Sequence, residues 1–422
     1  MFTQRKWMKV APVVLSISLV GAACGNDDEP MVGAGAQQEP TTTVAAGSVT
    51  QEGIDAAAVK LRGDLTLLLR NHVNLTGNVV YTAAESGLDS EQTRAASQAL
   101  DQNTVALGDA VGRLFGDQAE VEFLRQWREH IGFFVNYAKG IATNNQQLKQ
   151  QADQNLRGQY AENFSKFIST ATNGALPQPA VKQNLITHID TLEQGIEAVL
   201  TKQPNAAQQM LEAGRHMNET AQALAGGFDT AKNLQGDPGS PTAELLATLT
   251  GALEQHVANT GYVVHSAVLY GLDAPQTAAA MEALSKNTDT LGAVIGSIYG
   301  QKAQEEFLRQ WRQHIDFFVN YAKGVATNNA QLKQQADANL RNQYAEEFSK
   351  FLANATNNRI PQATAKTTLT EHINTLEKAI ESILAKRPSA GSDLGVALRH
   401  MQTPASVITR AVTQQFPDKY NA

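Results

Sequence analysis

The sequence contains a single cysteine, Cys24, so no disulfide can form within the chain. Stability must therefore come from packing, or from packing together with a bound ion. Charged residues make up only 18% of the chain and the formal net charge is −7. Because nucleic-acid binding requires a basic face, this balance gives no reason to expect nucleic acid as a partner.

Motifs of the common enzyme classes are also missing from the sequence. It has no phosphate-binding glycine loop, no nucleophile motif and no Glu-x-x-His pair of the ferritin type. These absences argue against an enzyme of a common kind. The apolar content of 42% is ordinary for a globular protein and argues against disorder over most of the length.

One segment of the chain occurs twice. The stretch 122–168 returns at 306–352 with 39 of its 47 positions identical. The offset of 184 residues continues outward from this segment without a gap. Such self-similarity marks a tandem duplication. We therefore predict two copies of one domain, formed by residues 55–238 and residues 239–422.

Each copy has the sequence pattern of an all-α protein. Apolar residues recur three or four positions apart in about six segments, as in Phe123, Trp127 and Phe134, and short runs rich in Gly, Pro and Asn separate these segments. We find no segment with the pattern of a strand. The sequence therefore predicts two tandem antiparallel helical bundles of about six helices each, with three helical hairpins per copy.

The N-terminal region is predicted to export and anchor the protein. Residues 1–23 combine a basic start, an apolar run and three small residues before Cys24, which is typical of a bacterial lipoprotein signal peptide. An ordinary signal peptide that leaves a free thiol is the alternative. Residues 24–54 are rich in Gly, Pro, Thr and Gln, and predict a flexible tether with an r.m.s. reach of roughly 30 Å. We expect an exported protein anchored to the membrane through lipid on Cys24, on the outer side of the bacterial cytoplasmic membrane or in the outer membrane.

The apolar stripe of each predicted helix is interrupted near its middle by a polar residue. In the first copy, His72, His130 and His188 recur at intervals of 58 residues, one on the first helix of each hairpin. Antiparallel helices of similar length bring their midpoints together, so these residues should form one polar layer across the bundle. The other members of this layer are Thr76, Asn103, Asn163 and His216 in the first copy, and His256, Thr260, Asn287, His314, Glu347, His372 and His400 in the second.

Two arrangements would satisfy the buried imidazoles. Each neutral ring has one donor and one acceptor, and leaving such a group unpaired costs roughly 1–3 kcal/mol. In the first arrangement, a closed network of hydrogen bonds among His, Asn and Thr fixes the register of the helices. In the second, the imidazoles bind a transition metal such as Zn, Fe, Mn or Cu, and Asn or Glu orients them or adds a ligand. A small-ligand pocket lined by the same histidines is a third alternative.

The metal hypothesis assigns a role to each member of the layer. The ligands would be His256, His314, His372 and Glu347 in the second copy, and His72, His130 and His188 in the first. The residues supporting the ligands would be Asn103, Asn163, Asn287, His216, His400, Thr76 and Thr260. Because Glu347 replaces Asn163, the second copy gains a carboxylate and is the better candidate. His265 replaces Tyr81 without a repeated partner, and we expect it to be incidental. The rival hypothesis is a scaffold whose polar layer only specifies the fold and whose outer faces bind an envelope partner.

Short motifs in this layer resemble those of a family of small exported or sporulation-associated bacterial helical proteins. The matches are His-Val-x-x-Thr at His72 and His256, Glu-His-Ile at 129–131 and 371–373, and Gln-Phe-Pro at 415–417. The first copy lacks the Gln-Phe-Pro end, and both copies lack the aromatic residue that usually follows the first histidine. The resemblance implies an all-helical fold and implies no particular activity.

Overall fold

The computed structural model describes residues 53–420, and all the regular secondary structure in this range is helical. The predicted signal peptide, Cys24 and the tether up to residue 52 lie outside the described residues. The first repeat contains α1 (Ala57–Ser86), α2 (Glu91–Phe115), α3 (Asp117–Ala142), α4 (Gln146–Gln154), α5 (Ala161–Ala171), α6 (Gln178–Leu200) and α7 (Ala206–Lys232). The second contains α8 (Pro241–Tyr270), α9 (Pro275–Tyr299), α10 (Gln301–Ala326), α11 (Ala330–Asn339), α12 (Ala345–Ala355), α13 (Gln362–Leu384), α14 (Ala390–His400), α15 (Gln402–Gln415) and α16 (Pro417–Tyr420). The prediction of an all-α fold with two bundles is confirmed. Within residues 53–420, no helix is both long enough and apolar enough to cross a membrane.

Local sequence explains where the second helix of each repeat begins. Ser90 caps α2, because its hydroxyl oxygen accepts a hydrogen bond from the backbone N–H of Thr93 at 3.1 Å. In the second repeat, α9 begins instead with Pro275, whose missing N–H would have no partner in the first turn. The preceding helix α1 ends at Gly87, whose φ of +98° is unfavourable for residues with a Cβ.

A π-helical turn connects α4 to α5, and its equivalent connects α11 to α12. These turns span Asn155–Tyr160 and Leu340–Tyr344. A π turn holds more residues than an α turn, so it rotates the face that the following helix presents to the core. The buried positions after the first turn are consequently Phe164 and Ile168. The register expected from sequence, with Asn163 facing inward, is wrong for this reason.

The last long helix is continuous in the first repeat and broken in the second. Helix α7 is a single helix, whereas its counterpart ends at His400 and resumes at Gln402 as α15. Pro404 stands where the first repeat has Thr220. Proline has no N–H for the carbonyl of His400 and its ring crowds that carbonyl, so it disrupts the helix one turn before its own position.

The two repeats pack together through their first helices, α1 and α8. The contacts across this pair of helices are Arg62 with Glu244, Arg70 with Glu254 and Asn78 with His265. These contacts advance along both helices in the same direction, so the helices are parallel. Each residue also contacts a position close to its own repeat equivalent, which defines an approximate two-fold axis along the helices. The two repeats accordingly belong to one compact unit.

The interface between the repeats contains His265, which is buried. Its Nδ1 donates to the Glu85 carboxylate and its Nε2 accepts from the Asn78 amide, both at 2.8 Å. Its ring stacks on Tyr81, with 5.4 Å between ring centroids. His265 is therefore part of the contact between the repeats, which corrects the expectation that it is incidental.

Candidate metal centres

The structure brings His72 of α1, His130 of α3 and His188 of α6 together in the core of the first repeat. One nitrogen from each ring lies within 4.8 Å of the others, and all three side chains are buried. The Nε2 atoms of His72 and His130 are 3.3 Å apart. Two nitrogens bound to one tetrahedral zinc at 2.0–2.1 Å are separated by about 3.3 Å. The spacing of this pair therefore already suits a shared metal ion.

The second repeat reproduces this arrangement with His256, His314 and His372. The three rings again offer nitrogens within 4.8 Å of one another, and the Nε2 atoms of His256 and His314 are again 3.3 Å apart. We call the two clusters the first and the second histidine triad. The distances are the same in both triads, so each repeat forms the same cluster from its own three histidines.

Protein hydrogen bonds satisfy the rings of the triads only in part: the 3.3 Å between the Nε2 atoms of His72 and His130, and of His256 and His314, is a hydrogen-bond distance, but other ring nitrogens have no partner. Both ring nitrogens of His188, and Nδ1 of His72, are buried without a hydrogen-bond partner in the described part of the chain. The same holds for both nitrogens of His372 and for Nδ1 of His256. An unsatisfied buried polar group costs roughly 1–3 kcal/mol, so the closed network considered from sequence is not complete here. These nitrogens are free to bind a ligand.

Aromatic side chains enclose the first triad. Tyr160, at the end of the π-helical turn, stacks on His130 with 4.5 Å between centroids and 16° between ring planes. Trp127 contacts His72 and His130, with centroids 4.9 and 4.7 Å apart. The sequence pattern placed both aromatics on core-facing stripes but gave no reason to place them against the histidines. The sequence did contain a signal for these contacts. Trp127 precedes His130 by three residues, and Tyr160 precedes Phe164 by four, so each lies on the same face of its helix as that residue.

Burial keeps the imidazoles neutral. Loss of hydration lowers the pKa of His72, and likewise of His256, to about 3. Burial, together with the nearby His72, lowers the pKa of His130 and His188 well below the usual range. Neutral imidazoles are the form that binds metal ions. Protons therefore compete weakly for these nitrogens as long as the protein stays folded.

The metal-free protein should lose stability as the pH falls below 6.5. The unfolded chain takes up protons on its histidines near pH 6.5, whereas folded His72 resists protonation down to about pH 3. Between these values the unfolded state binds more protons, so the free energy of unfolding decreases by about 1.4 kcal/mol per pH unit for each such histidine. Urea unfolding in chelator at pH 7.5, 6.5 and 5.5 measures this slope. Replacing His72 with Gln should make the slope shallower, and equal stability at all three pH values would contradict burial of neutral rings.

The residues expected to support the triads bind backbone atoms nearby rather than the imidazole rings. The side-chain amides of Asn103 and Asn287 each donate at 3.0 Å to a backbone carbonyl one turn before the first histidine of the triad. The hydroxyls of Thr76 and Thr260 donate to the backbone carbonyls of His72 and His256. The Nε2 atoms of His216 and His400 lie 3.2 Å from the carbonyls of Asn184 and Thr368. These hydrogen bonds join side chains to the backbone of the helices that carry the ligands, and none of them is to an imidazole of a triad.

Asn163 and Glu347 do not belong to the triads. Asn163 is exposed, and the Glu347 side chain is 42% exposed and lies 3.6 Å from Arg309 on the surface. The residues that contact the triads from these segments are instead the tyrosines at the ends of the π-helical turns, since Tyr160 stacks on His130 and Tyr344 stacks on His314. The expectation that a carboxylate distinguishes the second site is therefore corrected: both candidate centres consist of three imidazoles.

Comparisons of this chain with known protein families, with curated proteins and with solved structures found no match.

Proposed function

We propose that this protein is a lipid-anchored cell-envelope protein that binds one transition-metal ion in each histidine triad. The observation that carries this proposal is the state of His188 and His372. Each is buried beside two other imidazoles, yet neither of its ring nitrogens has a protein partner in the described chain. A metal ion bound by all three rings would satisfy one nitrogen on each histidine at once.

The ligand set favours zinc or copper. Imidazole suits both metals, whereas Mn prefers carboxylate, carbonyl and water oxygens. With Glu347 on the surface, neither triad supplies a carboxylate. Three histidines also leave a fourth position on a tetrahedral ion for water or another small ligand. A site of this composition would hold a divalent ion without a compensating side-chain charge, which favours an anionic fourth ligand such as hydroxide.

The N-terminal sequence supports the location that we propose. The basic start, apolar run and small residues before Cys24 favour lipid modification of that cysteine. The Gly-, Pro- and Thr-rich stretch that follows would separate the bundles from the lipid surface by a flexible chain. Labelling cells with a radioactive fatty acid tests this part, since the label should be lost in Cys24→Ser. An unlabelled wild-type protein would contradict the anchor.

Metal content tests the central proposal. The protein without its predicted leader, purified without an affinity tag, should retain about two equivalents of zinc or copper after soaking and dialysis. His188→Ala should retain one equivalent and His188→Ala/His372→Ala none, because a triad without one imidazole keeps only two ligands. Inductively coupled plasma mass spectrometry gives the ratio of metal to protein.

Two further variants serve as controls for this measurement. His216→Ala removes an imidazole whose ring faces a backbone carbonyl rather than the triad, and should retain both equivalents. Glu347→Gln should also retain both, because this side chain lies on the surface. A folded wild-type protein that retains no metal would leave the scaffold alternative, in which the triads only fix the packing of the helices.

A further inference from the structure

A cavity of about 180 Å³ lies beside the first histidine triad. The second repeat has an equivalent cavity of about 50 Å³. Repeat-equivalent residues line both, including Trp127, Phe164 and His188 in the first and Trp311, Phe348 and His372 in the second. The two repeats therefore have equivalent cavities of different volume, and the one in the first repeat is the larger.

Two of the sequence differences between the repeats lie on the helix that forms one wall of the cavity. Ala223, at the exposed rim of the first cavity, is replaced by Val407, which is half-buried and lines the second. Thr220 is replaced by Pro404, which breaks the helix that forms this wall. The bulkier side chain takes up part of the space, and the break in the helix changes the wall of the cavity. The first repeat keeps small Ala223 on an unbroken helix.

The lining of the larger cavity selects the chemistry of its ligand. Among the described residues that line it there is no Asp, Glu, Lys or Arg. The Thr220 hydroxyl already donates to the Asn184 side chain at 2.9 Å. Four buried polar atoms on residues that line the cavity have no protein hydrogen-bond partner: both nitrogens of His188, Nε1 of Trp127 and the hydroxyl of Tyr160. A guest would therefore meet carbon atoms over most of its surface and only a few groups that can form hydrogen bonds.

We propose that the cavity of the first repeat binds a small uncharged aromatic molecule of about the size of phenol, and that the second repeat does not. An apolar protein cavity of about 150 Å³ holds benzene, so about 180 Å³ accommodates one ring with a single oxygen substituent. The oxygen would hydrogen-bond to the unpartnered groups beside His188, and the ring would contact the aromatic and aliphatic walls. This inference is independent of the metal, because His188 has two nitrogens and only one could bind an ion.

Calorimetric titration of phenol into the metal-free protein tests the proposal. We expect one phenol per chain, weaker binding of benzene, which lacks the oxygen, and no binding of benzoate, which carries a charge into an uncharged cavity. Ala223→Val places the residue of the second repeat at the rim and should weaken phenol binding roughly tenfold or more. Ala180→Leu fills the rim from the opposite helix and should act in the same direction.

Val407→Ala is the matched control, since it makes the equivalent change in the other repeat and should leave the first binding event unchanged. Both rim positions in the first repeat are exposed, so these variants should keep the wild-type melting temperature. Absence of phenol binding to folded wild-type protein, or equal affinity in wild type and Ala223→Val, would overturn the proposal. Because the protein is free of metal throughout, either result leaves the metal measurement untouched.

Discussion

Zinc at about a thousand times its dissociation constant should raise the free energy of unfolding by about 4 kcal/mol for each histidine triad. The ion binds the folded protein, in which three neutral imidazoles already lie within 4.8 Å of one another. The unfolded chain separates those residues by 58 positions and offers no comparable site. Urea unfolding followed by far-UV circular dichroism, in zinc and in chelator at pH 7.5, measures the difference.

His188→Ala separates a metal site from a structural layer. If zinc binds the triad, the difference in stability between wild type and variant should shrink by about 4 kcal/mol when zinc is replaced by chelator. If the histidines only organise the core, the variant should lose the same stability in both solutions. His372→Ala should behave as His188→Ala does, because the second triad has the same geometry. His216→Ala should show no zinc-dependent difference.

Glu254→Ala should destabilise the protein by about 3–5 kcal/mol, because it leaves the buried charge of Arg70 without a carboxylate to neutralise it. Arg70 is 1% exposed and Glu254 is not exposed at all, and the guanidinium donates to the carboxylate at 2.8 Å. Burial raises the pKa of the Glu254 carboxyl, and Arg70 opposes that effect. Arg70 and Glu254 occupy equivalent positions in the two repeats, and the ion pair between them joins the repeats. Its loss should therefore appear as a lower urea midpoint of the whole unit.

A double-mutant cycle tests whether this loss comes from the unpaired charge. Arg70→Met/Glu254→Leu replaces both charges with apolar side chains of similar length and should be more stable than either single variant. Asp101→Ala is the comparison on the surface, where it breaks the half-exposed pair with Arg128. That change should cost less than about 1 kcal/mol. Equal losses in Asp101→Ala and Glu254→Ala would contradict a special role for the buried pair.

Much of the architecture could be predicted because the sequence repeats a strong periodic signal. The offset of 184 residues and the helical spacing of apolar residues predicted two all-α copies. The interval of 58 residues predicted that the three histidines of each copy lie at the same level along the bundle. The helix carrying Asn163 was misjudged, because its α period is interrupted by a π-helical turn that the pattern does not reveal. The change in register places Asn163 and its counterpart Glu347 on the surface, whereas Tyr160, expected on the core-facing side, stacks on His130.

The sequence by itself determined the elements, the duplication and the residues that meet in each triad, because these follow from periodicity and spacing within one copy. Only the tertiary structure decided how the copies combine. Arg70 and Glu254 occupy equivalent positions in the two repeats. The sequence pattern of one copy does not predict that these two residues contact each other. The unequal cavities are also a tertiary result, since the space beside His188 depends on how a helix broken by Pro404 packs compared with one that is continuous. Contacts between the two copies, and differences in how their helices pack, leave no periodic trace in the sequence, and only the folded chain shows them.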